Sequence, residues 1–149
     1  MKTTSAHPAI RNANLQDADA LKLCIDRAYA PVKKRLTDLP DVSGDLEEEI
    51  LGKHVFLAEI DNEVAGCAIL GFDAEKTHLA NIAVDPNFKG RGVGSRLMDY
   101  VEEFARQQGS KEICLATHIK MPENVALYLH LGWQETSRSG NKVLMRKEL

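Results

Sequence analysis

One glycine-rich segment has residue types and a spacing that suit it to bind an anion. Residues 89–94 read Lys-Gly-Arg-Gly-Val-Gly and stand between an apolar stretch and an amphipathic stretch of helical periodicity. The first amides of a helix lack partners within it, and glycines let the backbone approach a phosphate closely. Neither the dinucleotide fingerprint Gly-x-Gly-x-x-Gly nor the P-loop ending Gly-Lys-[Ser/Thr] is present. The segment therefore predicts a phosphate or pyrophosphate site, with a plain turn as the alternative.

Composition limits the classes of protein that can carry this segment. The chain has 149 residues, of which 44% are hydrophobic, and this predicts one globular domain over residues 1–149. A net charge of -3 argues against a nucleic-acid binder, and the apolar runs are too short to span a membrane. No secretory signal is readable at the N-terminus. Cys24, Cys67 and Cys114 have no paired spacing, so we expect reduced thiols, a cytoplasmic location and no metal.

The elements that must position the segment follow from apolar periodicity. Residue spacing predicts strands at 10–13, 55–60, 63–72, 76–84, 112–117, 133–136 and 142–147, and helices at 15–29, 45–51, 92–108 and 124–131. Pro31 is expected to end the first helix, and the stretch from there to Gly44 is the least predictable. Asp61-Asn62 predicts a hairpin turn. The order indicates an α/β (α+β) domain without internal repeats.

Two motifs in this order resemble those of the GCN5-related N-acetyltransferases. Ile82-Ala83-Val84-Asp85-Pro86, followed by the glycine-rich segment, is similar to the family's motif A. The stretch from Asn124 through Tyr128 to Gly132-Trp133 is similar to its motif B. Lys89 departs from the family's Gln or Arg, which weakens the match only slightly because the contact there is made largely by the backbone. The resemblance covers nearly the whole chain.

This resemblance implies a fold and a cosubstrate. It implies a mixed sheet of about seven strands with four helices, in which the strand of Ile82 and Val84 splays from the strand of Cys114 to admit acetyl-CoA. The amides of Ile82 and Val84 would pair with the pantetheine arm, and the N–H of Ile82 or Ala83 would stabilise the oxyanion. Pyrophosphate capture is assigned to the backbone amides of Lys89, Gly90, Arg91, Gly92, Val93, Gly94 and Ser95.

The resemblance also assigns side-chain roles, each with a structural alternative. Tyr128 is the expected proton donor to the departing thiolate, or a core aromatic residue. Asn124 is expected to contact coenzyme A, or to cap the last helix. His78 falls where family members carry a base, although a strand histidine is often a surface residue, and His118 is a weaker candidate. Cys114 is expected to be inert packing rather than a nucleophile.

The predicted activity is acetyl transfer to a primary amine of a small molecule or peptide, in a ternary complex without an acetyl-enzyme. A non-catalytic acyl-CoA sensor and a phosphate-binding turn on an unrelated fold are the alternatives, and O-acetylation, a longer acyl donor or a homodimer stay open. Acceptor specificity is expected from the first two helices. The charged residues of this region either form a solvated face or bind the acceptor, the acidic ones an amine and the basic ones a carboxylate. The candidates are Tyr29 and the charged residues Lys33, Lys34, Arg35, Asp45, Glu47, Glu48 and Glu49.

Overall fold

The computed structural model describes residues 8–36, 45–73 and 75–149. Its strands are β1 (Ala9–Asn12), β2 (His54–Ile60), β3 (Glu63–Asp73), β4 (Lys76–Val84), β5 (Glu112–His118), β6 (Gln134–Ser139) and β7 (Lys142–Glu148). Its helices are α1 (Ala18–Lys33), α2 (Leu46–Gly52), α3 (Val93–Gln107) and α4 (Pro122–His130), with short 3₁₀ turns at Leu15–Asp17 and Pro86–Phe88. Among the described helices, none is long and apolar enough to cross a membrane.

The seven strands form one mixed sheet in the order β1-β2-β3-β4-β5-β7-β6. Strands β2 and β3 form the predicted hairpin, whose turn residues Asp61 and Asn62 have φ values of 52° and 66° as a two-residue hairpin loop requires. Parallel pairing joins Lys76–His78 of β4 to Glu112–Cys114 of β5, and the β5–β7 and β6–β7 pairs are antiparallel. The predicted sheet of about seven strands with four helices is confirmed.

One compact unit comprises the described parts of residues 1–70 together with 81–101. Helices α1 and α2 cover β2, β3 and the end of β4 here, because their apolar residues recur on one face. The core that they enclose consists of Leu21, Ile25, Leu46, Val55, Leu57, Cys67, Ile69 and Ala83.

The second compact unit comprises residues 71–80 and 102–149, apart from residue 74, which lies outside the described part. Its core comes from the alternating residues of β5 and β7, with Ile113, Val143 and Met145 fully buried. Phe72 packs on Phe104 with ring centroids 6.0 Å apart. Each unit is compact, and the assignment of residues 1–149 to one domain stays a prediction.

Two predicted helix boundaries are wrong. Helix α1 does not end before Pro31 but continues to Lys33 with this proline inside it. Pro31 lies in the last turn on an exposed face, so the helix loses only the bond that a proline nitrogen cannot donate. Helix α4 begins at Pro122, whose fixed φ suits a first helical position, and not at Asn124. Residues 37–44 of the stretch predicted to be irregular lie outside the described residues.

Candidate functional site

Strand β4 leads into the site with a regular alternation of buried and exposed side chains. Thr77, Leu79, Asn81 and Ala83 are buried. The other face carries His78, Ala80, Ile82 and Val84, of which the last two are half-buried. These four residues share one face of the strand, so the side chains of Ile82 and Val84 point away from the helix-covered core.

Asp85 anchors the chain where it leaves β4. Its side chain is 3% exposed, and its Oδ1 accepts the Asn87 N–H at 2.9 Å, capping the 3₁₀ turn. Its Oδ2 pairs with a guanidinium nitrogen of Arg27 from α1 at 3.2 Å. Its own N–H donates to the Ala65 carbonyl at 2.8 Å. The carboxylate of Asp85 thus joins α1 to the 3₁₀ turn that precedes the glycine-rich segment, and its backbone N–H joins this turn to β3.

The glycine-rich segment has the backbone geometry of an anion site. Gly90 and Gly92 have φ values of 80° and 76°, a region that costs other residues strain. The first bond of α3 runs from the Arg96 N–H to the Gly92 carbonyl at 3.0 Å. The amides of residues 93–95 precede that bond and have no acceptor within the helix. A Cβ at Gly90 or Gly92 would meet no atom within 4 Å, so the space beside these amides is open.

Two exposed cationic side chains lie at the turn. Lys89 and Arg91 are exposed, and the Arg91 guanidinium lies 5.9 Å from the centroid of the Phe88 ring. The first turn of α3 contains no acidic residue. The Lys89 N–H already donates to the Pro86 carbonyl at 3.2 Å, so of the seven amides assigned to pyrophosphate this one has an internal acceptor.

Gly66, on β3, brings the N-terminal turn of α3 close to the sheet. A Cβ at this position would lie 2.8 Å from both the Ala83 carbonyl oxygen and a methyl carbon of Val93, and 3.0 Å from a methyl carbon of Leu97. Only a residue without a side chain allows this approach. Sequence reasoning missed Gly66, although an isolated glycine within a strand pattern is a recognised signal of close backbone approach.

The hydrogen bonds at the C-terminus of α4 fix the position of Tyr128. The Trp133 N–H donates to the Tyr128 carbonyl at 2.9 Å and the Gly132 N–H to the Leu129 carbonyl at 3.1 Å, while Gly132 has a φ of 96°. These bonds form a Schellman motif, in which the residue after the glycine packs on the helix. The Tyr128 and Trp133 rings accordingly lie 5.7 Å apart. The Gly-Trp pair of the motif therefore fixes the position of the tyrosine.

Burial sets the acidity of Tyr128. The residue is 9% exposed, and loss of hydration raises the pKa of its phenol above the ordinary value. The phenol therefore keeps its proton at neutral pH and is available as a donor. Its buried ring fits a core aromatic residue, and its protonated phenol is compatible with a proton donor, so both interpretations stay predictions.

Asn124 lies inside α4, where its side chain faces the end of β5. Its Nδ2 donates to Thr117 Oγ1 at 3.3 Å, and the N-cap position belongs to Met121. The alternative prediction that Asn124 caps the helix is therefore wrong. His118, the next residue of β5, is buried and its Nδ1 accepts the Lys120 N–H at 3.0 Å.

His78 lies on the exposed face of β4 with its side chain 47% exposed. Its Nε2 is 3.9 Å from Asp73 Oδ2, a carboxylate on the end of β3. This placement leaves the imidazole open to water, with one carboxylate nearby. It is compatible with both predicted interpretations, a base and a surface residue.

The thiol of Cys114 lies beside the carboxylate of Glu112. Its thiol donates to Glu112 Oε2 at 3.4 Å, and burial and this carboxylate raise the pKa of the thiol. Arg146 bonds Glu112 and lowers the pKa of that carboxyl. The thiol is thus held in its unreactive form, as expected for inert packing. All three cysteines are free, and the described residues contain no group of three or more His, Cys, Asp and Glu that could hold a metal ion.

The candidate acceptor residues of the first two helices have different surroundings. Tyr29 is half-buried and its hydroxyl donates to Asn81 Oδ1 at 2.8 Å. The basic run at residues 33–35 is exposed at the end of α1. The acidic residues of α2 lie in its first turn, where the helix dipole favours them. Sequence reasoning missed Asn81 and Asp85, and the Asp-Pro pair that signals a capped turn could have indicated the second.

Comparison with known proteins identifies the class to which this fold and site belong. The N-acetyltransferase YjgM of Escherichia coli K12 is 26% identical over 136 residues, which cover 89% of this chain and 78% of that protein. The [ribosomal protein bS18]-alanine N-acetyltransferase of Salmonella typhimurium is 31% identical over 77 residues, 52% of each chain. The PaiA N-acetyltransferase of Thermoplasma acidophilum, solved in complex with coenzyme A, shares the fold with a TM-score of 0.83 at 18% identity, over 97% of this chain and 100% of that one. These proteins are acetyltransferases.

The match to a family model is more specific. The model of the Acetyltransferase (GNAT) family matches residues 24–133. The chain belongs to this family and is an acyltransferase. The resemblance predicted from the two motifs is confirmed, and the alternative of an unrelated fold is wrong.

Proposed function

We propose that this protein transfers the acetyl group of acetyl-CoA to a primary amine of a small molecule or peptide. The observation that carries the proposal is the turn before α3, where amides without helical acceptors, open space and positive charge coincide. A pyrophosphate carries negative charge and needs several N–H donors, and this turn supplies both requirements. The coenzyme A in the PaiA structure supports the choice of cosubstrate.

The end of β4 supplies the remaining contacts to acetyl-CoA. The backbone amides of Ile82 and Val84 pair with the amides of the pantetheine arm, as a neighbouring strand would. The N–H of Ile82 or Ala83 donates to the thioester oxygen, which becomes an oxyanion when the amine attacks. Backbone groups perform both tasks, so the side chains of this segment contribute shape more than chemistry.

Tyr128 acts as the general acid of the reaction. The amine nitrogen attacks the thioester carbon and forms a C–N bond, after which the C–S bond breaks and its electron pair stays on sulfur. The Tyr128 hydroxyl donates its proton to this thiolate. Because burial raises the pKa of the phenol, Tyr128 keeps its proton at neutral pH and holds it in place for the sulfur as the C–S bond breaks.

His78 takes the proton that the attacking amine must lose. Its imidazole is exposed to water, so a water molecule can carry the proton from the acceptor nitrogen to Nε2. In the net reaction the amine loses one proton and the thiol of coenzyme A gains one. Replacing His78 by Ala should flatten the acidic limb of the kcat/KM profile against pH, and an unchanged limb would exclude His78 as the base.

Calorimetric titration with acetyl-CoA tests the proposal, with ATP and NAD as controls. We expect micromolar affinity for acetyl-CoA, at least tenfold weaker binding of the two controls, and release of coenzyme A when a suitable amine is added. A folded sample that binds ATP equally well would overturn the proposed cosubstrate. Binding of acetyl-CoA without turnover on a broad panel of amines would favour the sensor alternative.

A further inference from the structure

Asn81 on β4 has an amide nitrogen that the fold leaves unused. The residue is 8% exposed, and its Oδ1 accepts the Tyr29 hydroxyl at 2.8 Å. Its Nδ2 is buried and has no hydrogen-bond partner. Among the described residues only Trp133 has another buried side-chain nitrogen or oxygen atom in this state.

An unused buried donor costs folding free energy, because water would satisfy it in the unfolded chain. An apolar residue at position 81 would avoid this cost, as Leu79 and Ala83 do on the same face of the strand. The amide is therefore poorly explained by packing. A ligand oxygen that accepts the Nδ2 hydrogen would recover the lost interaction on binding.

Tyr29 fixes which end of the amide is available. Its hydroxyl donates to Oδ1, so the amide presents its two N–H groups, and not its oxygen, to whatever enters beside it. Nδ2 is out of reach of solvent, so a ligand reaches it only if a neighbouring side chain moves.

The position of this pair relates it to the acceptor. Asn81 directly precedes Ile82, whose backbone we assign to acetyl-CoA, but its side chain points to the opposite face of β4, toward α1. Lys33 lies one helical turn beyond Tyr29 on α1, which puts the two side chains on neighbouring positions of one helix face. A donor and a cation together favour a ligand with a carboxylate or carbonyl oxygen.

We propose that Asn81 Nδ2, held by Tyr29, donates to an oxygen of the acetyl acceptor. The acceptor is then a primary amine that also carries a carboxylate or carbonyl oxygen, as in an amino acid or the first residue of a peptide. A polyamine, whose protonated nitrogens accept no hydrogen bond, is excluded from this contact. The inference rests on the proposed acetyl transfer and names the acceptor class for that activity.

Two bisubstrate analogues test the inference without knowledge of the natural acceptor. Alkylation of the coenzyme A thiol with N-bromoacetylglycine gives one analogue, and alkylation with N-bromoacetylmethylamine gives the other. Both contain the same pantetheine arm and the same acetyl carbonyl, and they differ only in the carboxylate. In calorimetric titrations we expect the wild-type protein to bind the glycine analogue at least about tenfold more tightly than the methylamine analogue.

Variants assign this preference to the amide. Asn81→Asp keeps the side-chain shape and the oxygen facing Tyr29, but replaces the donor with an oxygen that repels a carboxylate, so we expect the preference to vanish. Tyr29→Phe retains Asn81 and should reduce the preference, which keeps the test valid if the first variant folds poorly. Asn12→Asp makes the same change at an exposed position of β1 and should leave the preference intact.

Each other result has a definite meaning. Equal affinity of the wild-type protein for the two analogues would overturn the inference. Equal weakening of both analogues by Asn81→Asp would assign the contact to the acetyl carbonyl, and this too would overturn it. If folded wild-type protein binds neither the analogues nor acetyl-CoA, the proposed function itself fails.

Discussion

The turn before α3 and the end of α4 are built from similar parts but present different groups. Each contains a glycine at positive φ next to a helix terminus, Gly92 in the first case and Gly132 in the second. At α3 the glycine exposes backbone amides beside open space. At α4 it closes a Schellman motif that satisfies the backbone and buries Tyr128 against Trp133.

This difference indicates how binding and chemistry are divided. Backbone amides are present whatever the side chains, so the turn before α3 depends on conformation and tolerates changes of charge. The end of α4 contributes the single hydroxyl of Tyr128, so removal of that oxygen atom abolishes its contribution to catalysis. Independent measurements of acetyl-CoA affinity and of turnover separate the contributions of the two regions.

Tyr128→Phe should have the largest effect, because it removes the proton donor while keeping the ring against Trp133. We expect kcat to fall by about 100-fold or more, with little change in the affinity for acetyl-CoA. Since the pKa of the phenol is raised, wild-type kcat should decline only at a pH above the range in which an ordinary tyrosine loses its proton. Unchanged kcat in the variant would exclude Tyr128 as the acid.

Gly66→Ala should have the next largest effect, and on stability rather than chemistry. The added methyl group would overlap the Ala83 carbonyl and the Val93 side chain, so α3 must shift from the sheet. Overpacking of this kind lowers the free energy of unfolding by about 1–3 kcal/mol. Urea denaturation measures this loss in the free energy of unfolding. Gly71→Ala on the same strand is the control, since a Cβ there meets no atom within 4 Å. Equal stability of the two variants would contradict the close approach.

Gly92→Val should weaken acetyl-CoA binding about tenfold, because a β-branched residue at positive φ costs about 1–2 kcal/mol and the turn would change shape to relieve it. Gly140→Val in the β6–β7 turn is the control, since Gly140 also has a positive φ and open space around it. A similar loss of affinity in both variants would attribute the effect to general destabilisation.

Neutralising the cations near the turn should have the smallest effect. We expect the double variant Lys89→Ala, Arg91→Ala to weaken acetyl-CoA binding only about threefold at physiological salt, because exposed charges are screened. Titrations with acetyl-CoA at low and high salt measure the electrostatic contribution of these two side chains to the affinity. A loss larger than that of Gly92→Val would show that side-chain charge, and not the backbone, dominates pyrophosphate binding.

Much of this arrangement could be predicted from local sequence. The hairpin at Asp61-Asn62, the bounds of β4 and the buried face of α3 follow from periodicity and turn chemistry, which act over a few residues. The two motifs located the glycine-rich segment and Tyr128 because their spacing is also local. Pro31 misled the prediction because a proline in the last turn removes only one helical bond.

Contacts between distant segments could not be predicted in the same way. Asp85 pairs with Arg27 and Asn81 with Tyr29, over 58 and 52 residues of sequence. Gly66 is required only because Val93 and Leu97 of α3 lie against it. Such pairings depend on how helices pack on the sheet, and no single-sequence pattern encodes the packing.

The most direct test of the division between binding and chemistry is a calorimetric comparison of affinities for acetyl-CoA. It compares the Gly92→Val and Tyr128→Phe variants with the wild-type protein. The account predicts that Gly92→Val weakens binding about tenfold while Tyr128→Phe stays within about twofold of the wild-type affinity. Wild-type affinity in Gly92→Val together with a large loss in Tyr128→Phe would contradict it.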